Sequence, residues 1–223
     1  MTRVMPTILV LTTEVASLAD DFQVEGTDVP EQYKEYDLNE WDNYAVEAGV
    51  QLSEAGDDVE VVSATIGPSR SEETIRMVLA MGADRAVRVW DDALQSVDIL
   101  DVEAKTKILA RIVAQEEPDL VLSGVQSGDN SFAATGVSVA EEVDYQWTAV
   151  VNDLAVDWKD ATADVRRELE GGVEELTAVN LPAVLTIQSG INEPRYASLR
   201  GMRQAQRKPL DVFSLADLDL EPA

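Results

Sequence analysis

Short apolar runs rich in β-branched residues recur along this chain, and each is followed by a segment whose apolar residues repeat at helical spacing. The runs are TILVLTT (Thr7 to Thr13), VEVVSATIG (Val59 to Gly67), RAVRVW (Arg85 to Trp90) and DLVLSG (Asp119 to Gly124). Each has the length of a strand, and an apolar run without polar alternation belongs to a strand covered on both faces. RAVRVW alternates, so it is expected nearer an edge. Between the runs, LNEWDNYAVEAGVQLSEAG reads as a helix, with Asn39 as N-cap, Trp41, Ala45, Ala48 and Leu52 on one face and Gly56 as its stop. SRSEETIRMVLAMG ends at Gly82, VEAKTKILARIVAQEE stops before Pro118, and SFAATGVSVAEEV supplies a fourth helix. The acidic stretch up to Asp37 reads as irregular. This alternation runs to about residue 145 and predicts an α/β fold, a mostly parallel twisted sheet with helices on both faces.

Beyond that point the pattern changes. ADVRRELEGGVEELTAV predicts a β-hairpin turning at Gly171-Gly172, and PAVLTIQ another buried strand. VFSLADLDLEPA reads as a partly ordered tail. The expected organisation is one α/β domain over residues 1–212 followed by a C-terminal tail over residues 213–223.

Composition removes whole classes of chemistry. The chain has no cysteine and no histidine, so disulfides, thiolate or zinc sites, cysteine nucleophiles and histidine acid–base catalysis are all excluded. Its apolar runs fall far short of the roughly 20 residues a membrane span needs. The N-terminus carries no signal-peptide pattern, and a cytoplasmic protein is expected. With 43 acids against 17 bases, the formal charge of −26 leaves no basic footprint for nucleic acid. Only five of those bases are lysine. Molar salt screens the self-repulsion of such a charge, and a halophile-like cytosol is the expected setting. Against this background NEPRYASLRGMRQAQRKP (Asn192 to Pro209) stands out. Arg195, Arg200, Arg203, Arg207 and Lys208 crowd there, and no acid lies between Glu193 and Asp211. The segment is either an interface or a helix whose basic end suits its dipole.

In an open parallel sheet, ligands bind outside the carboxyl ends of the strands, near helix N-termini. Those ends here carry TTEV, ATIGPSRS and SGVQSGDNSFAATG, while LNEWDN opens the first helix. The third, Gly124 to Gly136, offers backbone N–H groups to a phosphate, or is an ordinary βα loop, for it has neither Walker nor GxGxxG spacing. Asp42 and Asp129 lack a partner acid or metal motif and read as solvated surface. Trp41 either stacks on a ring ligand or packs on the sheet. Ser131 has no base to activate it.

These segments, in this order, resemble the beta subunits of electron transfer flavoproteins over nearly the whole chain. The match runs through LNEWDNYAVEAGVQL, IGPSRSEETIRMVLAMGADRAVRV, PDLVLSGVQSGDNSFAATG and VRRELEGGVEELTAVNLPAVLTIQSGINEPRYASLRGMRQAQRKPL. It implies a Rossmann-like, adenine-nucleotide-binding fold with a C-terminal hairpin and extended arm, and an electron-carrier subunit that performs no bond chemistry. Its partner would be an alpha subunit carrying the redox FAD in a mobile domain. This chain would bury a second nucleotide, AMP in most members and a second FAD in electron-bifurcating ones. Acyl-CoA or other flavin dehydrogenases would donate electrons, and a membrane quinone oxidoreductase would accept them.

Carried over by position, the resemblance assigns the buried nucleotide to Leu11, to Asn39, Glu40, Trp41 and Asp42, to Ile66, and to Gly124, Gln126, Asp129, Ser131, Thr135 and Gly136. It implies that Glu168 pairs with an arginine of the flavin domain and that Asp129 and Arg195 hold the site together. Leu199 matches an exposed leucine that anchors dehydrogenases, with Arg195, Arg200 and Arg203 in a positive rim around it. The departures are Val125 for the loop lysine, Glu40 for a proline, and Ala133 and Ala134 where polar side chains are usual. The two alanines motivate the bifurcating alternative. The alternative from another class is a stand-alone adenine-nucleotide-binding regulator of the stress-protein type, a homodimer needing no flavin partner.

Overall fold

The computed structural model describes residues 5–55, 58–97 and 100–221. In chain order the elements are β1 (Thr7–Thr12), β2 (Glu14–Leu18), β3 (Lys34–Leu38), α1 (Glu40–Glu54), β4 (Glu60–Ile66), α2 (Glu72–Met81), β5 (Arg85–Val89) and α3 (Val102–Glu116). There follow β6 (Leu120–Gly124), α4 (Thr135–Glu142), β7 (Gln146–Asp157), β8 (Thr162–Leu169), β9 (Val173–Asn180), β10 (Ala183–Ile187), α5 (Leu199–Ala205) and β11 (Leu210–Phe213). Nine strands form one sheet in the order β11-β5-β4-β1-β6-β10-β7-β8-β9. It is parallel from β11 to β7 and antiparallel from β7 to β9.

β1 explains why its sequence shows no polar alternation. Successive side chains of a strand point to opposite faces, and here both faces are covered. Ile8 and Val10 join Val46 of α1 and Ile75 and Leu79 of α2, whereas Leu9 and Leu11 join Ile108 and Ile112 of α3 and Val139 of α4. The parallel sheet thus separates two cores, with helices on both faces as expected. Burying each of these side chains stabilises the fold by about 1.5–3 kcal/mol.

Several expectations need correction. The acidic stretch after β1 is a hairpin, since β2 and β3 pair antiparallel from Glu14↔Leu38 to Leu18↔Lys34. Its strands lie outside the main sheet and, Leu38 apart, are half-buried or exposed, so no apolar pattern marks them. The fourth helix starts at Thr135 rather than Ser131, because Ser131 and Ala133 take φ of 53° and 52°, which no right-handed helix accommodates. The strand β7 was not foreseen. Its exposure alternates irregularly, with a register shift between Val151 and Asp153. The tail is more ordered than expected: β11 pairs with β5, Leu215 and Leu218 are buried in the second core, and the boundary drawn at residue 212 falls inside β11. This leaves β5 one strand in from the edge. Gly56, expected to stop α1, and Pro222 and Ala223 of the tail lie outside the described residues.

Aspartates brace the strand ends. At the amino end of the sheet Asp119 accepts from Thr7 N at 2.8 Å, and Asp84 accepts from Val61 N at 2.9 Å. Each satisfies a backbone donor that the ladder leaves open.

Candidate functional site

The carboxyl ends of β1, β4 and β6 open into a cleft of about 260 Å³. Leu11, Thr12 and Ile66 line it from the strand ends, Glu14, Arg70 and Ser71 from the segments that follow, and Lys105 and Leu109 from α3. The segment from Ser123 to Gly136 contributes most of the rest.

The start of α1 pins that segment in place. Asn39 occupies the N-cap position, yet its side chain does not cap the helix. Instead its amide donates to Gln126 O at 2.8 Å and its oxygen accepts from Gly128 N at 3.1 Å. One turn on, Asp42 is 4% exposed and accepts from Thr13 N at 2.8 Å and Gly124 N at 2.9 Å. It therefore ties the end of β1 to the end of β6. Burial pushes its carboxyl up to about 7, against hydrogen bonds from Asn39, Thr13 and Gly124 and the charge of Lys105. Gly124 permits this closeness, for a Cβ there would lie 2.5 Å from Asp42 Oδ1 and 2.7 Å from Trp41 Cβ. Across the cleft, Glu14 accepts from Ser71 and Thr74 and pairs with Arg70 at 3.0 Å, while the Arg70 guanidinium lies 4.0 Å from the centre of the Tyr36 ring. That stacking ties the β2–β3 hairpin to the cleft. α4 begins after Ala134, with no side-chain cap and no acid in its first turn. Its first N–H groups are thus left without a side-chain acceptor.

Of the residues assigned to a nucleotide, Leu11, Asn39, Asp42, Ile66, Gly124, Gln126, Asp129, Thr135 and Gly136 line the cleft, whereas Glu40, Trp41 and Ser131 do not. Glu40 is exposed, Trp41 packs beside Gly124, and Ser131 donates to Ser127 O at 3.1 Å. Reading Asp42 as solvated surface was wrong, because two strand ends need its oxygens. Asp129 is exposed and accepts from Asn130 N at 2.7 Å. Glu14, Arg70, Ser71 and Ser123 also line the cleft from within the strand-end segments, and Lys105 lines it from α3, outside them. Nothing local marks Lys105, which reaches the cleft only because α3 folds back across β1 and β4.

A family model described as the electron transfer flavoprotein domain matches residues 27–218. The electron transfer flavoprotein subunit beta of Methylophilus methylotrophus is 49% identical over 216 residues, covering 96% of this chain and 81% of that one. The chain belongs to the electron transfer flavoprotein beta-subunit family. The mitochondrial beta subunit of Oryza sativa subsp. indica is 39% identical over 184 residues, 82% of this chain and 71% of that one. The beta subunit of Bacillus subtilis (strain 168) is 33% identical over 199 residues, 89% of this chain and 75% of that one.

In this electron transfer flavoprotein chain the basic segment divides into bases turned inward and bases turned out. Arg195 does not join a free rim. It pairs with Glu47 at 2.7 Å and Glu54 at 2.7 Å, clasping α1. Burial pushes the Glu47 carboxyl up, but the Arg195 and Gln51 hydrogen bonds outweigh it and leave Glu47 below its ordinary value. Lys208 donates to Leu79 O at 3.0 Å and Ala83 O at 2.6 Å, closing the carboxyl end of α2. Arg76 of α2 returns the favour, donating to Ala205 O and Lys208 O at 2.8 Å each. Arg200, Arg203 and Arg207 are exposed and form no ion pair among the described residues. Beside them Leu199 is 75% and Tyr196 98% exposed. Glu168 is exposed on β8, opposite Glu174 of β9. No helix among the described residues is long and apolar enough to cross a membrane.

Proposed function

We propose that this chain is the beta subunit of a heterodimeric cytoplasmic electron carrier. It holds AMP in the cleft as a structural ligand and cradles the FAD domain of an alpha subunit. It presents Leu199 to flavin-linked dehydrogenases, and the electrons go on to a membrane quinone oxidoreductase. The observation that carries the nucleotide reading is the uncapped amino end of α4, whose first residues Thr135 and Gly136 line the cleft. An anion fits such a place, since helix N-terminal N–H groups and their dipole favour negative charge.

The residues present fit the nucleotide. Leu11 and Ile66 offer apolar surface to a base, the Asn39-pinned loop offers backbone groups, and Lys105 offers a cation. The FAD of the alpha subunit supplies the electron chemistry when bound. This chain's own residues bind, orient and exclude water. At the docking segment, an apolar anchor ringed by Arg200, Arg203 and Arg207 suits the acidic surface that a dehydrogenase of the same high-salt cytosol would carry.

Co-expression with the alpha partner tests the assembly, and the expected product is a flavin-containing heterodimer. A flavin-free homodimer would instead support the stand-alone regulator. In that heterodimer Leu199→Ala should weaken dehydrogenase-dependent flavin reduction about tenfold while flavin content stays constant. Unchanged reduction with every physiological donor would remove the docking role.

A further inference from the structure

We infer that Trp90 is the surface on which the base of the bound nucleotide packs, and that it makes the cleft prefer a purine to a pyrimidine. This rests on the nucleotide reading above, and Trp90 lies outside the set of residues carried over by resemblance.

Among the described residues two aromatic side chains line the cleft, Phe132 and Trp90. Phe132 belongs to the loop before α4. Trp90 directly follows β5, where the second core comes to the surface. Leu11 and Leu109 are buried members of that core, Ile66, Trp90 and Leu100 pack against it only partly buried, and all five line the cleft. Val97, 44% exposed, lines it too. Apolar surface left open in this way is covered favourably by a flat ring, in proportion to the area taken from water. Of these side chains the indole offers the largest flat face. Its backbone is fixed on both sides. Trp90 N donates to Phe213 O at 3.0 Å. The next residue, Asp91, accepts from Ala93 N at 3.0 Å and from Leu215 N at 3.3 Å. The register that sets Ile66 beside Val89 brings Trp90 next to the end of β4. A surface held in place before the ligand arrives loses little freedom on binding it. The strand order β5-β4-β1-β6 sets this apolar end of the cleft across from the polar loop after β6. A nucleotide therefore has one favourable direction, with its base toward Trp90. Two fused rings cover more of the indole than one, so a purine gains more than a pyrimidine.

The experiment uses the heterodimer stripped of nucleotide by dialysis, as wild type, Trp90→Leu and Trp90→Phe. Affinities for AMP and CMP come from equilibrium dialysis, and tryptophan emission is followed as AMP is added. In Trp90→Leu, AMP affinity should fall about five- to a hundredfold, the range for losing one base–aromatic contact, and CMP affinity should fall less. Trp90→Phe keeps an aromatic face and should recover most of the AMP affinity. AMP should change the wild-type emission, and most of that change should vanish in Trp90→Phe, although three of the four tryptophans remain. A purely structural indole would instead weaken AMP and CMP alike in Trp90→Leu and leave the emission change intact in Trp90→Phe. Either of those results overturns the inference. Should wild type bind no AMP, the nucleotide reading fails and takes this inference with it. If wild type binds AMP and Trp90→Leu binds it equally, only this inference fails.

Discussion

Asp42 joins three segments through two oxygens, and its burial makes that junction sensitive to pH. The folded chain raises its carboxyl from an ordinary 3.8 to about 7, so over that interval the folded state holds a proton the unfolded state has lost. The sign is therefore opposite to that of a paired surface carboxylate. The contribution of Asp42 is fully present below its unfolded value and is lost as pH rises through about 7. Asp42→Asn cannot titrate. The stability of wild type relative to Asp42→Asn should therefore fall between about pH 4 and about pH 7 and level off above that, in denaturant titrations at constant salt. A difference that stays flat across that range would mean the carboxylate is already ionised in the fold. Glu47 behaves in the opposite way, because Arg195 compensates its burial. Arg195→Ala should cost about 3 kcal/mol of stability, since it strands a buried carboxylate. A loss confined to dehydrogenase docking, with stability intact, would contradict the inward role of Arg195.

α2 and the end of α5 hold each other. Arg76, midway along α2, donates to the carbonyl of Ala205, the last residue of α5, and to that of Lys208 just beyond it, while Lys208 donates to Leu79 in the last turn of α2 and to Ala83 beyond its end. Gly201 lets the two helices close up, for a Cβ on it would meet Ala80 O at 2.6 Å. The exposed Leu199 face is thus mounted on a fixed helix rather than a loose loop. Arg76→Ala should cost about 1–2 kcal/mol and speed proteolysis between residues 196 and 207, read as a cleavage time course. An unchanged time course would show that α5 needs no such mount. These contacts also mark what could be read from the sequence at this scale. The buried strands β1, β4, β6 and β10 and the Gly171-Gly172 hairpin were legible, because apolar runs and paired glycines are local signals. The β2–β3 hairpin, β7 and β11 were not, because exposed or tertiary-paired strands carry no periodic signature. Asn39, Asp42 and the segment from Gly124 to Gly136 are found at the cleft, where the strand-end pattern places them, but Glu40, Trp41 and Ser131 are not, and Lys105 carried no local signal because it reaches the cleft through the packing of α3.

At the scale of the whole molecule, 43 acids and 17 bases give a charge of −26 on a fold whose cores are ordinary in character. Self-repulsion of that size is relieved by screening, so stability should rise between about 0.1 M and about 2 M KCl, measured by thermal unfolding. A midpoint independent of salt would argue that the charges are already neutralised within the fold. The few bases are spent on the Glu14–Arg70, Glu60–Arg85 and Glu47–Arg195 ties that join distant segments, and on the outward face of α5. That division fits the proposed role, in which the chain holds a nucleotide and presents α5 to a partner. The most direct measurement is the nucleotide content of the heterodimer. The chain is purified with its alpha partner in high salt and denatured, and the released adenine compounds are separated and quantified. The account predicts one FAD and one AMP per heterodimer. Two FAD without AMP, or no nucleotide beyond the single FAD, would contradict it.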